Sequence, residues 1–152
     1  MDAKDRKILA LLQENAMYTA AELGDKVGLS TTPCWRRVQR LEQAGYIRQR
    51  VALLDQGKMN VGVTVFVTVR TSRHSRDWLE GFRRAISTIP EIVEAHRLSG
   101  DVDYLLRAVV PSIDGWDAVY RRLIEAVEFS DVSSSFSMEP LKFTTAIPVD
   151  HV

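Results

Sequence analysis

Residues 19–43, TAAELGDKVGLSTTPCWRRVQRLEQ, decide the reading of the N-terminal part of the chain. Thr19 followed three residues later by Glu22 is a capping box, and it opens a short helix that buries Leu23 and Val27. Gly28 ends that helix, because glycine accepts the left-handed conformation a tight turn requires. Ser30 then caps a second helix with Pro33 in its first turn, where a missing N–H costs least. Cys34, Val38 and Leu41 recur at helical spacing and face inward, and Gly45 closes the helix. Two helices joined through Val27-Gly28-Leu29-Ser30 make a helix-turn-helix, in which the second helix leaves its N-terminal and outer face free for a DNA major groove. A bare helical hairpin with no DNA role is the plainer alternative.

The outer face carries Thr31, Thr32, Arg36, Gln39 and Gln43, led by Ser30 and flanked by Trp35, Arg37 and Arg40. Arginine pairs with guanine edges or phosphates, glutamine with adenine, and threonine with either. Charge distribution supports that reading. The net charge of the whole chain is zero, yet residues 1–60 hold ten Lys/Arg against seven Asp/Glu, and residues 61–152 hold ten against thirteen. Arg36, Arg37, Arg40, Arg48 and Arg50 are opposed between them only by Glu42. One half is therefore suited to a polyanion and the other is not.

Outward from this stretch, Asp2 caps a preceding helix with Asp5 near its positive end and Ile8, Leu11 and Leu12 on one face. Tyr46-Ile47 and residues 51–54 read as extended. Residues 55–60 read as a linker, so the expected division is a DNA-binding domain over 1–54 and a second domain over 61–152.

There the period changes. Val61, Val63, Val65, Val67 and Val69 alternate with other residues as in a strand. A helix follows over 75–87 with Trp78, Leu79, Phe82 and Ile86 on one face, then strands over 92–98 and 102–110. Ser112 caps another helix carrying Ile113, Trp116, Tyr120, Leu123, Ile124 and Val127, and a strand runs over 132–138, with 142–147 as a possible extension of the sheet. The order βαββαβ predicts a ferredoxin-like αβ-sandwich, making the chain an α+β protein with both helices on one sheet face. The other face carries Phe66 and residues from the set around Tyr104 and Leu105, and an uncovered apolar face calls for a second copy of the chain.

Other chemistry has little footing. Cys34 is alone, excluding an intramolecular disulfide, and its spacing makes it a core residue rather than a redox centre. His74, His96 and His151 are scattered, and no phosphate loop, nucleophile elbow or zinc motif occurs, so no enzyme, metal or cofactor is expected. No apolar run reaches the roughly 20 residues of a membrane span. The N-terminus lacks a signal-peptide core, which points to a cytoplasmic protein. The segment Leu98-Ser99-Gly100-Asp101-Val102-Asp103-Tyr104 is more suggestive. Backbone amides beside a glycine can hold a carboxylate, and an aspartate can hold an ammonium, so the loop suits a free amino acid. A polar hairpin turn is the competing account. The run Ser133-Ser134-Ser135 is either a polar edge or a source of hydroxyls for the same pocket.

Taken in order, these pieces resemble the leucine-responsive regulatory protein/AsnC family across nearly the whole chain. The carrying residues are Asp5-Arg6-Lys7-Ile8-Leu9, Val27-Gly28-Leu29-Ser30, Pro33-Cys34-Trp35-Arg36-Arg37-Val38, Arg40-Leu41-Glu42 and Gly45-Tyr46-Ile47. In the second half they are Ser99-Gly100-Asp101, Asp103-Tyr104 and Ser134-Ser135-Phe136-Ser137-Met138-Glu139. The resemblance implies a winged helix-turn-helix, a linker and an effector-binding domain, in dimers that assemble into tetramers or octamers on double-stranded DNA. It also implies an amino-acid effector near Gly100, Asp101, Asp103 and Tyr104, with Ser134 opposite; the family commonly has an aromatic where this chain has Val102. Residues 32–35 and the tail from Ser134 to Thr145 look like the cysteine-responsive branch, with leucine, another small apolar amino acid or no effector still open. Two other functions fit the same pattern: an architectural DNA-binding protein whose second domain only oligomerises, and a metabolic sensor acting through protein contact.

Overall fold

The computed structural model describes residues 1–152, which divide into two compact units: Met1–Ala52 together with Leu141–Val152, and Leu53–Pro140.

In the first unit α1 spans Ala3–Glu14, α2 Ala20–Val27 and α3 Thr31–Gln43. The caps follow the sequence closely. Thr19 and Glu22 form a reciprocal box at α2, and Asp2 and Asp5 form another at α1, with each side chain bonded to the other's backbone amide. Gly28 sits at φ 69°, and Gly45 at φ 77°. At Gly45 the amides of Gly45 and Tyr46 reach back to the carbonyls of Glu42 and Leu41, a Schellman closure. Ser30 precedes α3 in extended conformation, but its hydroxyl makes no capping bond. Ile8, Leu23, Val27, Cys34, Val38 and Leu41 form the core of this unit.

Residues 48–54 contain no strand, because a ladder needs a partner and the chain supplies none there. The expected extension of the sheet by residues 142–147 is likewise not formed. The last ladder-like bond on that side is from the Ser137 amide to the Thr64 carbonyl, after which Pro140 breaks the run. The tail packs in the first unit instead. The Gln13 carboxamide accepts from the Ile147 amide at 2.7 Å and donates to its carbonyl at 3.0 Å.

In the second unit, β1 (Val63–Arg70), α4 (Arg76–Ser87), β2 (Ile92–Arg97), β3 (Tyr104–Val110), α5 (Ile113–Ala126) and β4 (Asp131–Phe136) follow in that order. The sheet order is β2-β3-β1-β4, antiparallel throughout, as the βαββαβ order predicts. Val65, Val67 and Val69 on β1 and Tyr104, Leu106, Ala108 and Val110 on β3 face the two helices. Trp78 and Phe82 fill the space beneath α4, and Trp116, Val119 and Leu123 that beneath α5. Ile113 lies outside this core, 64% exposed, because it falls in the first turn of α5, three residues before the first buried position.

The other face of the sheet is uncovered. Register places Thr68 opposite Leu105, Phe66 opposite Arg107 and Thr64 opposite Val109 on that side. Tyr104 is not among them. It points to the helices, where its ring packs tilted against Phe82 at 4.8 Å between ring centroids.

Candidate nucleic-acid interface and ligand loop

Alpha-helical periodicity divides α3 into two sides. Cys34, Val38 and Leu41 lock one side into the core of the unit. Thr32, Arg36 and Gln43 are exposed on the opposite side, Trp35 is 53% exposed on its flank, and Thr31 is exposed in the first turn. Arg36 enters none of the ion pairs that occupy its neighbours, so its five donors face solvent. Gln39 is half-buried and donates to Glu42 at 3.0 Å.

Arg37 and Arg40 are placed differently from Arg36. Arg37 bridges Asp2 at 2.6 Å and Asp5 at 2.8 Å, and Arg40 reaches Asp5 at 2.7 Å. The Asp5 side chain is only 2% exposed. Burial by itself raises its carboxyl, but the Asp2 amide and the two guanidiniums outweigh that and hold it below its ordinary value. Asp2, at the surface, is lowered to about 2 by the Asp5 amide and by Arg37. Arg37 is raised in turn, first by its bond to Asp2 and then by its bond to Asp5. In the sequence Asp5 reads as a helix-dipole residue, since its two arginine partners lie more than thirty positions away.

Sequence reading also missed Gly24. A methyl group at Gly24 would lie 2.5 Å from the Leu29 carbonyl oxygen, closer than real side chains come. The Leu29 amide meanwhile donates to the Gly24 carbonyl at 2.8 Å. Close approach of the turn to the body of α2 therefore depends on this glycine, and the turn sets where α3 begins. Cys34 is fully buried, and burial pushes its thiol up against a smaller opposing effect of Arg37. That is the behaviour of a core residue.

The second region of interest joins β2 to β3. Ser99, Gly100 and Asp101 are exposed, with Gly100 at φ 126°. Asp103 is turned inward: its carboxylate accepts from the Thr71 amide at 2.8 Å, and its own amide donates to the Val69 carbonyl. Asp103 thus ties this loop to the one after β1. Tyr104 is a core residue, as described. Ser134 lies on the helix side of β4, where its hydroxyl accepts from Trp116 Nε1 at 3.1 Å. Of the six residues expected at a ligand pocket, three stand together at the exposed tip, while Asp103 ties the loop, Tyr104 lies in the core and Ser134 on β4 is engaged by Trp116. His96 lies beside Glu94, and no group of three His, Cys, Asp or Glu converges as metal ligands would. No helix is long and apolar enough to cross a membrane.

Comparison with known proteins gives a consistent answer. The AsnC-type helix-turn-helix domain family matches residues 1–42, and the Lrp/AsnC ligand binding domain family matches residues 64–147. The chain is 48% identical over 149 residues to the glutamate uptake regulatory protein of Zymomonas mobilis, covering 98% of this chain and 91% of that protein. Its fold is similar to an AsnC family transcriptional regulator from Agrobacterium tumefaciens, at 57% identity and a TM-score of 0.96 with 99% of both chains covered. It is also similar to a Neisseria meningitidis transcriptional regulator solved as an L-Met complex, at 37% identity and a TM-score of 0.94, covering 99% and 98% of the two chains.

Proposed function

The chain belongs to the Lrp/AsnC family of DNA-binding transcriptional regulators, and on that premise we propose that it reads a major groove with Thr31, Thr32, Trp35 and Arg36, in response to an amino acid held at Ser99–Asp101. The observation that carries the first part is the division of α3. One side is anchored by Cys34, Val38 and Leu41, and the other presents unpaired side chains around Arg36. Ser30, Gln39, Arg40 and Gln43 border that surface, placed to meet the sugar-phosphate wall.

Arg36→Ala is expected to weaken specific duplex binding by about 1–3 kcal/mol, the value of one good bidentate base contact. Fluorescence anisotropy with a duplex selected by the wild-type protein measures this. Unchanged affinity and an unchanged salt dependence remove Arg36 from the interface.

The ligand is a free α-amino acid. The tip of the loop offers exposed backbone amides at Gly100 for a carboxylate and the Asp101 carboxylate for an ammonium. Relatives support the class: the Neisseria meningitidis regulator was solved as an L-Met complex, and the Zymomonas mobilis relative is named for glutamate uptake. Cysteine and leucine belong in the same screen. Asp101→Ala is expected to abolish the rise in melting temperature that the cognate amino acid produces, leaving the unliganded fold unchanged. A retained rise moves the ammonium site elsewhere.

The uncovered sheet face supports self-association. Phe66, 40% exposed, stands with the half-buried Leu105 and Val109 on the sheet face that neither helix of this unit covers. A dimer formed there presents two recognition helices, and further association of dimers gives tetramers or octamers. Ligand then acts by shifting how those helices are spaced, a coupling typically worth about 1–3 kcal/mol.

A further inference from the structure

The three arginines at the heart of α3 have separate assignments, and Arg37 is the informative one. It lies next to Arg36 in sequence, about 100° away around the helix. Its guanidinium donates to Asp2 Oδ2 and Asp5 Oδ1, and its side chain is 26% exposed. Arg40 donates to the other Asp5 oxygen but remains 61% exposed. Asp5 also accepts from the Asp2 amide at 3.1 Å, and Asp2 accepts from the Asp5 amide at 2.9 Å. The four side chains therefore form a closed set in which the first turn of α1 grips the middle of α3. Apolar burial of Cys34, Val38 and Leu41 turns that face of α3 inward, but the hydrophobic effect is itself non-directional and sets the exact rotation less sharply than polar bonds do. Charge-assisted bonds to a buried carboxylate are directional and resist rotation about the helix axis.

We propose that Arg37 is a positioning residue rather than a DNA contact: with Asp2 and Asp5 it fixes the rotation of α3, so that Arg36 and Trp35 face outward. This rests on the DNA-binding reading given above. It removes Arg37 from the set of groove-facing residues that sequence suggests, and leaves Arg40 shared between Asp5 and the surface.

The test is the salt dependence of duplex binding by the full chain, carried out with wild type, Arg37→Gln and Arg37→Lys on a duplex selected from a random pool. A phosphate contact contributes a slope of about −0.9 in log affinity against log salt. Arg37→Gln is expected to lower affinity by the same factor at every salt concentration, with the wild-type slope retained and the melting temperature of the first unit reduced. Arg37→Lys keeps the charge but loses the two-carboxylate bridge, so it is expected to fall with Arg37→Gln in melting temperature. It also supplies the comparison if the glutamine variant does not fold. The melting-temperature loss from Arg37→Gln should shrink sharply in an Asp5→Asn background, because the bond it removes is already weakened. A slope shallower by about one phosphate contact, or the same melting loss in both backgrounds, overturns the assignment. If wild type binds no duplex, the DNA reading fails, while the melting-temperature cycle still decides whether the cluster holds α1 to α3.

Discussion

Gly24→Ala is expected to abolish selective duplex binding while leaving the second unit folded. The new methyl group would sit 2.5 Å from the Leu29 carbonyl oxygen, and that atom belongs to backbone, not to a flexible side chain that can swing aside. Either the end of α2 or the turn must move. Overpacking of this kind typically costs about 1–3 kcal/mol, sometimes more. The movement falls on the segment that ends in Ser30, so α3 is displaced along with the turn. The substitution is informative because helix propensity predicts the opposite sign: alanine in place of a mid-helix glycine normally stabilises by about 0.5–1 kcal/mol. Circular dichroism melting and anisotropy, measured on the same preparation, check the stability and binding parts. A variant that is more stable and binds normally shows that the turn has room.

The largest loss of stability is expected at Phe82. Its side chain is 1% exposed and lies at the centre of an aromatic group, with Trp78 stacked at 5.1 Å, Tyr104 at 4.8 Å and Phe129 edge-on at 5.9 Å. Truncating such a residue removes its transfer free energy and leaves a cavity that rigid rings on three sides cannot fill. Phe82→Ala is expected to cost about 3–5 kcal/mol, a large part of the roughly 5–15 kcal/mol that holds a domain together. Ile113→Ala on the same unit makes the contrast, because Ile113 is mostly exposed, and its loss should stay within about 0.5 kcal/mol. Urea unfolding of the two variants, followed by tryptophan fluorescence, measures both. Equal losses contradict the placement of the core.

Much of this fold is legible in the sequence because its signals are local. The capping box at Thr19, the cap at Asp2, the glycines at 28 and 45, and the valine alternation in β1 each depend on residues a few positions apart. The α3 core of Cys34, Val38 and Leu41 follows from the same kind of spacing. What the sequence leaves open depends on contacts between distant residues. Along β3 both Tyr104-Leu106-Ala108 and Leu105-Arg107-Val109 carry apolar residues, so alternation alone cannot say which side meets the helices. Tyr104 turned out to meet them. Ser134 is similar: a serine reads as polar edge, yet here it satisfies the indole of Trp116. Arg37 looks equivalent to Arg36 until Asp5, thirty-two residues earlier, is brought beside it. The tail reads as an extension of the sheet, but its partner is a glutamine side chain on α1.

The same distinction governs the candidate sites. An exposed recognition surface needs only the phase of one helix, and that phase is readable. A ligand pocket needs several loops to converge. Of the residues that sequence grouped there, Ser99, Gly100 and Asp101 stay at the surface, while Asp103 fastens the loop to the Thr71 amide. Asp103 thus braces the tip rather than standing at it.

Hydroxyl-radical footprinting of the full chain on a selected duplex, with Arg36→Ala in parallel, tests the central claim most directly. Two protected patches whose centres lie about 10 base pairs apart, or a multiple of that, both weakened in Arg36→Ala, are the predicted result. Uniform protection along the duplex, or patches unchanged by the substitution, would contradict it.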